Sequence, residues 1–268
     1  MSGLVRTLMW VRGYLTSSIG KKQVLGVVGA GLVMFLVGHM VGNLPLLNPD
    51  VAASQAAYNA YCKMLTGLKP MIWFVEAGLV SILLLHAGLA LILKLGNSQA
   101  RGGRYAVVKR KGDASFATYT MFASGVIILV FLVQHLLFFK FGAWYLYQNA
   151  AGEIIRDMWL TTALTFQNPV WTAAYSVALL VAGAHLVHAI PSLFRTFGLV
   201  HARWTPLFNL FGRCAAAAIV GGFVVTAIGT CALMHTAKGE QQIKKALADQ
   251  PRLEKVMKVQ NAAKGVQK

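Results

Sequence analysis

Acidic side chains are scarce in this chain: 8 of its 268 residues are Asp or Glu, against 25 Lys and Arg. Charged residues of both signs make up 12%, whereas an ordinary soluble domain carries about 25%. So little charge cannot clothe a soluble globule of this size. Cysteine is rare too. Cys62, Cys214 and Cys231 form neither Cys-x-x-Cys nor Cys-x-x-Cys-His. That spacing excludes an iron–sulfur ligand set, a covalent haem attachment site and a disulfide framework, and leaves the three as small packing residues. The N-terminus does not read as a signal peptide. Arg6, Arg12, Lys21 and Lys22 precede an apolar run that far exceeds a signal core of roughly 7–15 residues, and no small-residue cleavage site follows it.

What the chain has in abundance is apolar sequence, 57% of the total, divided by clusters of base. The net charge of +17 raises the question of nucleic acid. The basic residues sit between apolar runs, however, and that placement fits membrane orientation and anionic lipid, with no nucleic acid. No charge occurs between Lys22 and Asp50, from Ala114 to Phe139, from Met158 to Phe194 or from Cys214 to Ala237. Pro70 to Leu93 holds one, Glu76. A span needs about 20 mostly apolar residues. These runs predict five transmembrane helices at about 23–45, 70–94, 115–140, 169–195 and 206–235, the fourth opened by Asn168-Pro169. The expected fold is all-α, an integral membrane bundle over residues 1–240, followed by a basic tail at 241–268.

The short loops set the expected orientation. The N-terminal segment, the second loop (Lys94, Arg101, Arg104, Lys109, Arg110, Lys111) and the fourth (Arg195, Arg203, Arg213) are base-rich. The other two hold only Lys63 with Lys69, and Lys140 with Arg156. The N-terminus is therefore expected in the cytoplasm and the C-terminus outside, although eight basic residues in the tail run against the rule. The outer loops, Ala52–Leu68 and Trp144–Phe166, have room for interfacial helices and the aromatics for headgroup depth. Helices one and two, with their loop, resemble helices three and four in layout.

Histidine is costly in hydrocarbon and marks a site. Five of the seven lie within the expected spans: His39, His86, His135, His185 and His188. His201 falls in a cytoplasmic loop and His235 at the outer end of helix five, and both read as interfacial. His39 lies 17 residues after Lys22 and His135 lies 22 after Asp113, so both are deep on the outer side. His86 lies 8 residues before Lys94 and His185 lies 10 before Arg195, towards the cytoplasm. Each pair comes from alternate helices, and the two pairs differ in depth by very roughly 15 Å. Two facing imidazoles at one depth suit a bis-histidine haem, and two such pairs suit two haems stacked across a membrane. Gly26, Gly29, Gly31, Gly38 and Gly42, with Ser124-Gly125, Gly88 and Gly183, supply the small residues that a flat porphyrin between helices needs. Taken singly, each histidine or glycine also reads as a packing residue. His188 is three residues from His185 on the same face, and depth does not choose between them.

Two motifs sharpen the reading. Ser17-Ser18-Ile19-Gly20-Lys21-Lys22 followed by Gly38-His39-Met40-Val41-Gly42-Asn43-Leu44 resembles the membrane subunit of succinate dehydrogenases and fumarate reductases, of the five-helix, di-haem cytochrome b type. Ser124-Gly125 ten residues before His135 is similar to that family, as is His185 followed by Ser192, Thr196 and Gly198. The likeness runs from Ser17 to the fifth helix. It implies two haem b groups, a distal one ligated by His39 and His135 and a proximal one by His86 and His185. The Thr196-Phe197-Gly198 match selects His185 over His188. The resemblance further implies a flavoprotein subunit with FAD and an iron–sulfur subunit, both docked on the cytoplasmic side of a bacterial inner membrane. Electrons would then pass to quinone, commonly menaquinone, and succinate would never touch this chain.

For the quinone, Glu76 is the only acid inside a span, about ten residues before His86. A buried carboxyl there, near the outer end of helix two, could exchange the protons that reduction of a quinone near the distal haem needs. It also reads as a helix-start glutamate favoured by the dipole. Asn43 and Lys140 are the other candidates, while Trp73 and Trp144 read as belt aromatics. The basic loop Gly96–Asp113 suits docking of the iron–sulfur partner, or orientation and lipid contact alone. Three other functions share part of the pattern: a di-haem cytochrome b of nitrate reductase or formate dehydrogenase, a transporter with a histidine proton relay, and a bare anchor for a soluble enzyme.

Overall fold

A computed structural model of the chain describes residues 3–101 and 116–266. Among these the elements are α1 (Gly3–Thr16), α2 (Ser18–Asn43), α3 (Val51–Gly67), α4 (Met71–Arg101), α5 (Phe116–Phe139), β1 (Leu146–Gln148), β2 (Ile154–Arg156), α6 (Met158–Gln167), α7 (Pro169–Thr196), α8 (Thr205–Met234) and α9 (Ala237–Val266). Five stretches are long and apolar enough to cross a membrane: Ser18–Leu47, Met71–Ala100, Thr120–Phe139, Pro169–Thr196 and Thr205–Met234. The five expected spans are therefore present, and the chain has the helices of a multi-pass membrane protein. Large apolar side chains stay exposed along these helices, among them Met34, Phe74, Leu84, Val130, Val170, Val177 and Val225. Each one buried in an apolar medium contributes about 1.5–3 kcal/mol, so hydrocarbon is the medium this surface requires.

Local chemistry sets the helix ends, and it moves two of them from where charge alone placed them. α2 begins at Ser18, ahead of Lys21 and Lys22, because the Ser17 hydroxyl accepts the Gly20 amide at 3.0 Å. α4 continues past Lys94 to Arg101, since a lysine is a good helix former and stops nothing. α7 opens on Pro169, with the Asn168 side chain accepting the Val170 amide at 2.9 Å. It closes on Gly198 at φ 77°, where Leu199 N reaches back to the Phe194 carbonyl at 3.0 Å. At the end of α5, Arg156 donates to the carbonyls of Phe139 and Lys140 and lies over the Trp144 ring at 4.6 Å. A guanidinium there satisfies carbonyls that the helix leaves open.

The chain separates into two compact units. Unit 1 comprises 1–37, 73–128 and 181–219, and unit 2 comprises 38–72, 129–180 and 220–268, as far as these are described. The principal core belongs to unit 2. There Leu46, Val51, Tyr58, Trp159, Leu160, Ala163, Met234, Ile243 and Ala246 pack together. Both outer-loop helices exist, as α3 and α6, capped by Asp50 and Asp157 respectively. The second loop also carries an antiparallel hairpin, β1 against β2 with Tyr147 opposite Ile155, so the fold is helical apart from this ribbon. The segment read as a tail forms most of α9. Its Ile243 and Ala246 join the core, and the Gln250 amide both donates to and accepts from the Leu146 backbone, at 3.0 and 2.8 Å.

Candidate functional site

His39 and His135 lie in unit 2, and His86, His185 and His188 lie in unit 1. In unit 2, His39 on α2 and His135 on α5 meet with ring centroids 5.9 Å apart and planes at 85°. Metal–imidazole bonds of about 2 Å each would set two ligating nitrogens about 4 Å apart, with the ring centroids set further back, so the separation is of the right order. Aromatic rings surround the pair. Phe131, Phe139 and Tyr175 lie 6.0, 4.9 and 6.0 Å from His135, and Phe223 lies 5.6 Å from His39. Tyr175 is buried, its ring edge-on to Phe131 and Phe166, and its hydroxyl accepts from Gln134 at 3.4 Å. Phe131, His135 and Phe139 recur every four residues, a one-face spacing that is readable in the sequence and marks this cage.

In unit 1, His86 on α4 and His185 on α7 are electrostatic neighbours. Each rests on a glycine of another helix. A Cβ at Gly29 would lie 3.3 Å from His86 Cε1, and one at Gly125 would lie 3.6 Å from His185 Cε1. Ser124, noted in the sequence only for its size, also has a polar task. Its hydroxyl donates to the Met121 carbonyl at 3.0 Å, which leaves its oxygen to accept from His185 Nδ1, also at 3.0 Å. A proton held on Nδ1 leaves the Nε2 lone pair available to a metal, the usual orienting device for a ligand histidine. His188 is half-buried, and its carbonyl accepts from Ser192. Its neighbour His185 is the one set against Gly125 and Ser124, which favours the pairing of His86 with His185. His201 and His235 are engaged locally, with the Arg203 amide and the Cys231 carbonyl.

These residues fit a flat iron-centred group in each unit. Among the described residues, His135 Nδ1 is a buried imidazole nitrogen with no hydrogen-bond partner. At Gly38 and Gly88, beside the two pairs in sequence, an added Cβ would meet no described atom within 4 Å. Gly26 and Gly31 serve otherwise, letting Leu193 and Ile82 close on α2.

Of the quinone candidates, Asn43 and Lys140 belong to unit 2 and Glu76 to unit 1. Asn43 lies nearest a pair in the chain: its amide donates to the His39 carbonyl at 3.0 Å, and its oxygen accepts from the buried Tyr58 hydroxyl at 2.9 Å. Burial pushes the Tyr58 phenol up and holds it protonated as that donor. Lys140 is exposed at the end of α5. Glu76 is half-buried on α4 in unit 1, the unit of His86 and His185, not the unit of His39 and His135. Trp73 and Trp144 are well exposed, as belt aromatics are. The basic loop 96–113 falls mostly outside the described residues. Comparison with protein-family models, curated proteins and solved structures gives no match.

Proposed function

We propose that this chain is the membrane cytochrome b subunit of a succinate:quinone oxidoreductase. His39 and His135 would hold one haem b, and His86 and His185 the other. The reading rests on His39 with His135 in unit 2 and His86 with His185 in unit 1, each pair drawn from alternate helices. The resemblance of Ser17–Lys22 and Gly38–Leu44 to that family supports it. Bound between two imidazoles, a haem supplies a one-electron carrier whose potential its protein surroundings set.

The chain's own residues orient the ligands, keep water away and handle protons. Ser124 orients His185 through its hydrogen bond to Nδ1. The phenyl rings around His135 and the buried Tyr175 exclude water and lower the local dielectric. Quinone, commonly menaquinone in this family, needs protons as it is reduced, and Glu76 can carry one across its carboxyl. Asn43 can hold a quinone oxygen by its amide, and Lys140 by its ammonium. The flavoprotein and iron–sulfur subunits would dock on the base-rich cytoplasmic side of a bacterial inner membrane, the side of the N-terminus. Succinate would then be oxidised, or fumarate reduced, in the partners.

A dithionite-reduced minus oxidised spectrum of the purified chain, with pyridine-haem quantification, tests this. About two b haems per chain, recovered with a flavin-containing partner, supports the proposal. Folded protein with no haem overturns it and raises the proton-coupled transporter in its place.

A further inference from the structure

A pocket of about 340 Å³ in unit 1 is lined by Ile19 and Lys22 of α2 and by Ser192, Arg195 and Thr196 of α7. None of these residues ligates in the scheme above. Ile19 and Lys22 are three apart, and Ser192, Arg195 and Thr196 sit at i, i+3 and i+4, so each helix turns one face to the pocket. Its position in the bilayer follows from the spans. Lys22 lies in the first turns of Ser18–Leu47 and Arg195 in the last turn of Pro169–Thr196. The start of the first span and the end of the fourth lie on one side, at headgroup depth.

The chemistry of the lining is specific. Lys22 and Arg195 offer donors only. Neither has an ion pair with an acidic side chain among the described residues, and Glu76 is the only acid described in this unit. Asn209 of α8 accepts one guanidinium N–H of Arg195 at 2.8 Å and steadies it. The two hydroxyls behave differently. Ser192 donates to the His188 carbonyl at 2.7 Å and Thr196 to the Ser192 carbonyl at 2.8 Å. Their protons are engaged within α7, so towards a ligand their oxygens can only accept. The pocket therefore presents two cations beside two hydroxyl acceptors.

The geometry points to a binding site for an anionic phospholipid whose headgroup carries its own hydroxyls, a phosphoglycerol lipid. Its phosphodiester would take the Lys22 and Arg195 donors, and its glycerol hydroxyls would donate to Ser192 and Thr196. At about 340 Å³ the pocket has room for a headgroup. A carboxylate of a prosthetic group would satisfy the cations but could not donate to the hydroxyls. Arg195 suits a phosphate for the further reason that a guanidinium can grip it by two parallel bonds.

Native mass spectrometry of the full chain in detergent reads the result, with phosphatidylglycerol titrated against phosphatidylcholine of the same acyl chains and against inorganic phosphate. The wild-type chain should retain phosphatidylglycerol at least about tenfold better than phosphatidylcholine, the order a charge-assisted contact provides. The double variant Lys22→Gln/Arg195→Gln should lose that preference with helicity and haem content unchanged, and Lys22→Arg should keep it. Equal retention of the two lipids by wild type, or an undiminished preference in the double variant, overturns the site. So does displacement of the lipid by inorganic phosphate at equal concentration, which would show that a free anion suffices. If the double variant sheds a haem while keeping its lipid preference, the cations serve a haem carboxylate and the lipid assignment is wrong. The lipid-retention outcomes do not depend on the succinate:quinone reading; only the haem readout does.

Discussion

Replacing Asp157 by alanine should loosen the end of unit 2 that carries α3, α6 and α9. Asp157 is fully buried and accepts three hydrogen bonds: from Gln55 Nε2 at 2.6 Å, Asn59 Nδ2 at 2.7 Å and the Leu160 amide at 2.9 Å. Gln55 in turn accepts from Gln242 of α9 at 2.6 Å, so one carboxylate ties three helices. Removing it strands three buried donors, at about 1–3 kcal/mol each. Part of that loss is offset, because burial raises the Asp157 pKa against the opposing hydrogen bonds, and a buried carboxylate is itself costly. A net destabilisation of about 2–4 kcal/mol remains, which corresponds to roughly 30-fold to several-hundred-fold in an opening equilibrium. Hydrogen exchange reads it directly, as lost protection in Val51–Gly67 and Met158–Gln167 with little change in α4. The effect also has a pH sign. The folded carboxyl titrates above its ordinary value of 3.8, so the folded state binds this proton more tightly than the unfolded chain does. The associated stability is complete below the ordinary value and is lost as pH rises through the raised one. After correction for intrinsic exchange, protection of α3 should therefore fall as pH rises through that window, and Asp157→Asn should abolish the dependence. A loss under about threefold in Asp157→Ala would refute the linchpin role, as would pH-independent protection in wild type.

Other substitutions separate the two units. Gly29→Leu should drive His86 out of place, since even a Cβ there would lie 3.3 Å from its ring, and should cost the haem of His86 and His185 while sparing the other; loss of both in folded protein would contradict separate sites. In the assembled complex, Glu76→Gln should slow quinone turnover by about tenfold or more with an unchanged haem spectrum, the range of a removed proton-transfer group. Unaltered turnover would strip Glu76 of that role and leave Asn43→Leu as the variant to assay. Burial pushes the Cys62 thiol up to about 12, so alkylation at pH 8 should be negligible in native protein. Rapid labelling there would show that α3 is not packed against unit 2's core.

The spans were readable because hydrocarbon tolerates so little charge, and the histidines because it tolerates them so poorly. Charge is nevertheless a poor guide to where a helix stops. Lys21, Lys22 and Lys94 all lie inside helices whose ends are set by Ser17 or lie further along. The hairpin escaped because strands of three residues are too short for period-two alternation to register. α9 escaped because its Lys-rich surface outweighs a narrow stripe. Ile243, Ala246, Gln250 and Leu253 recur at alternating intervals of three and four, and three of these four are buried. The aromatic cage was only partly visible, since Tyr175 and Phe223 reach the histidine pair from helices whose rotation no single-helix pattern sets.

The most direct test of the account quantifies haem in four single variants, His39→Ala, His135→Ala, His86→Ala and His185→Ala, each checked for folding. The account predicts that each retains about one b haem per chain, and that the residual spectra fall into two matching sets, His39 with His135 and His86 with His185. Residual spectra that pair in any other way, or a His185→Ala protein that keeps two haems while His188→Ala loses one, would contradict it.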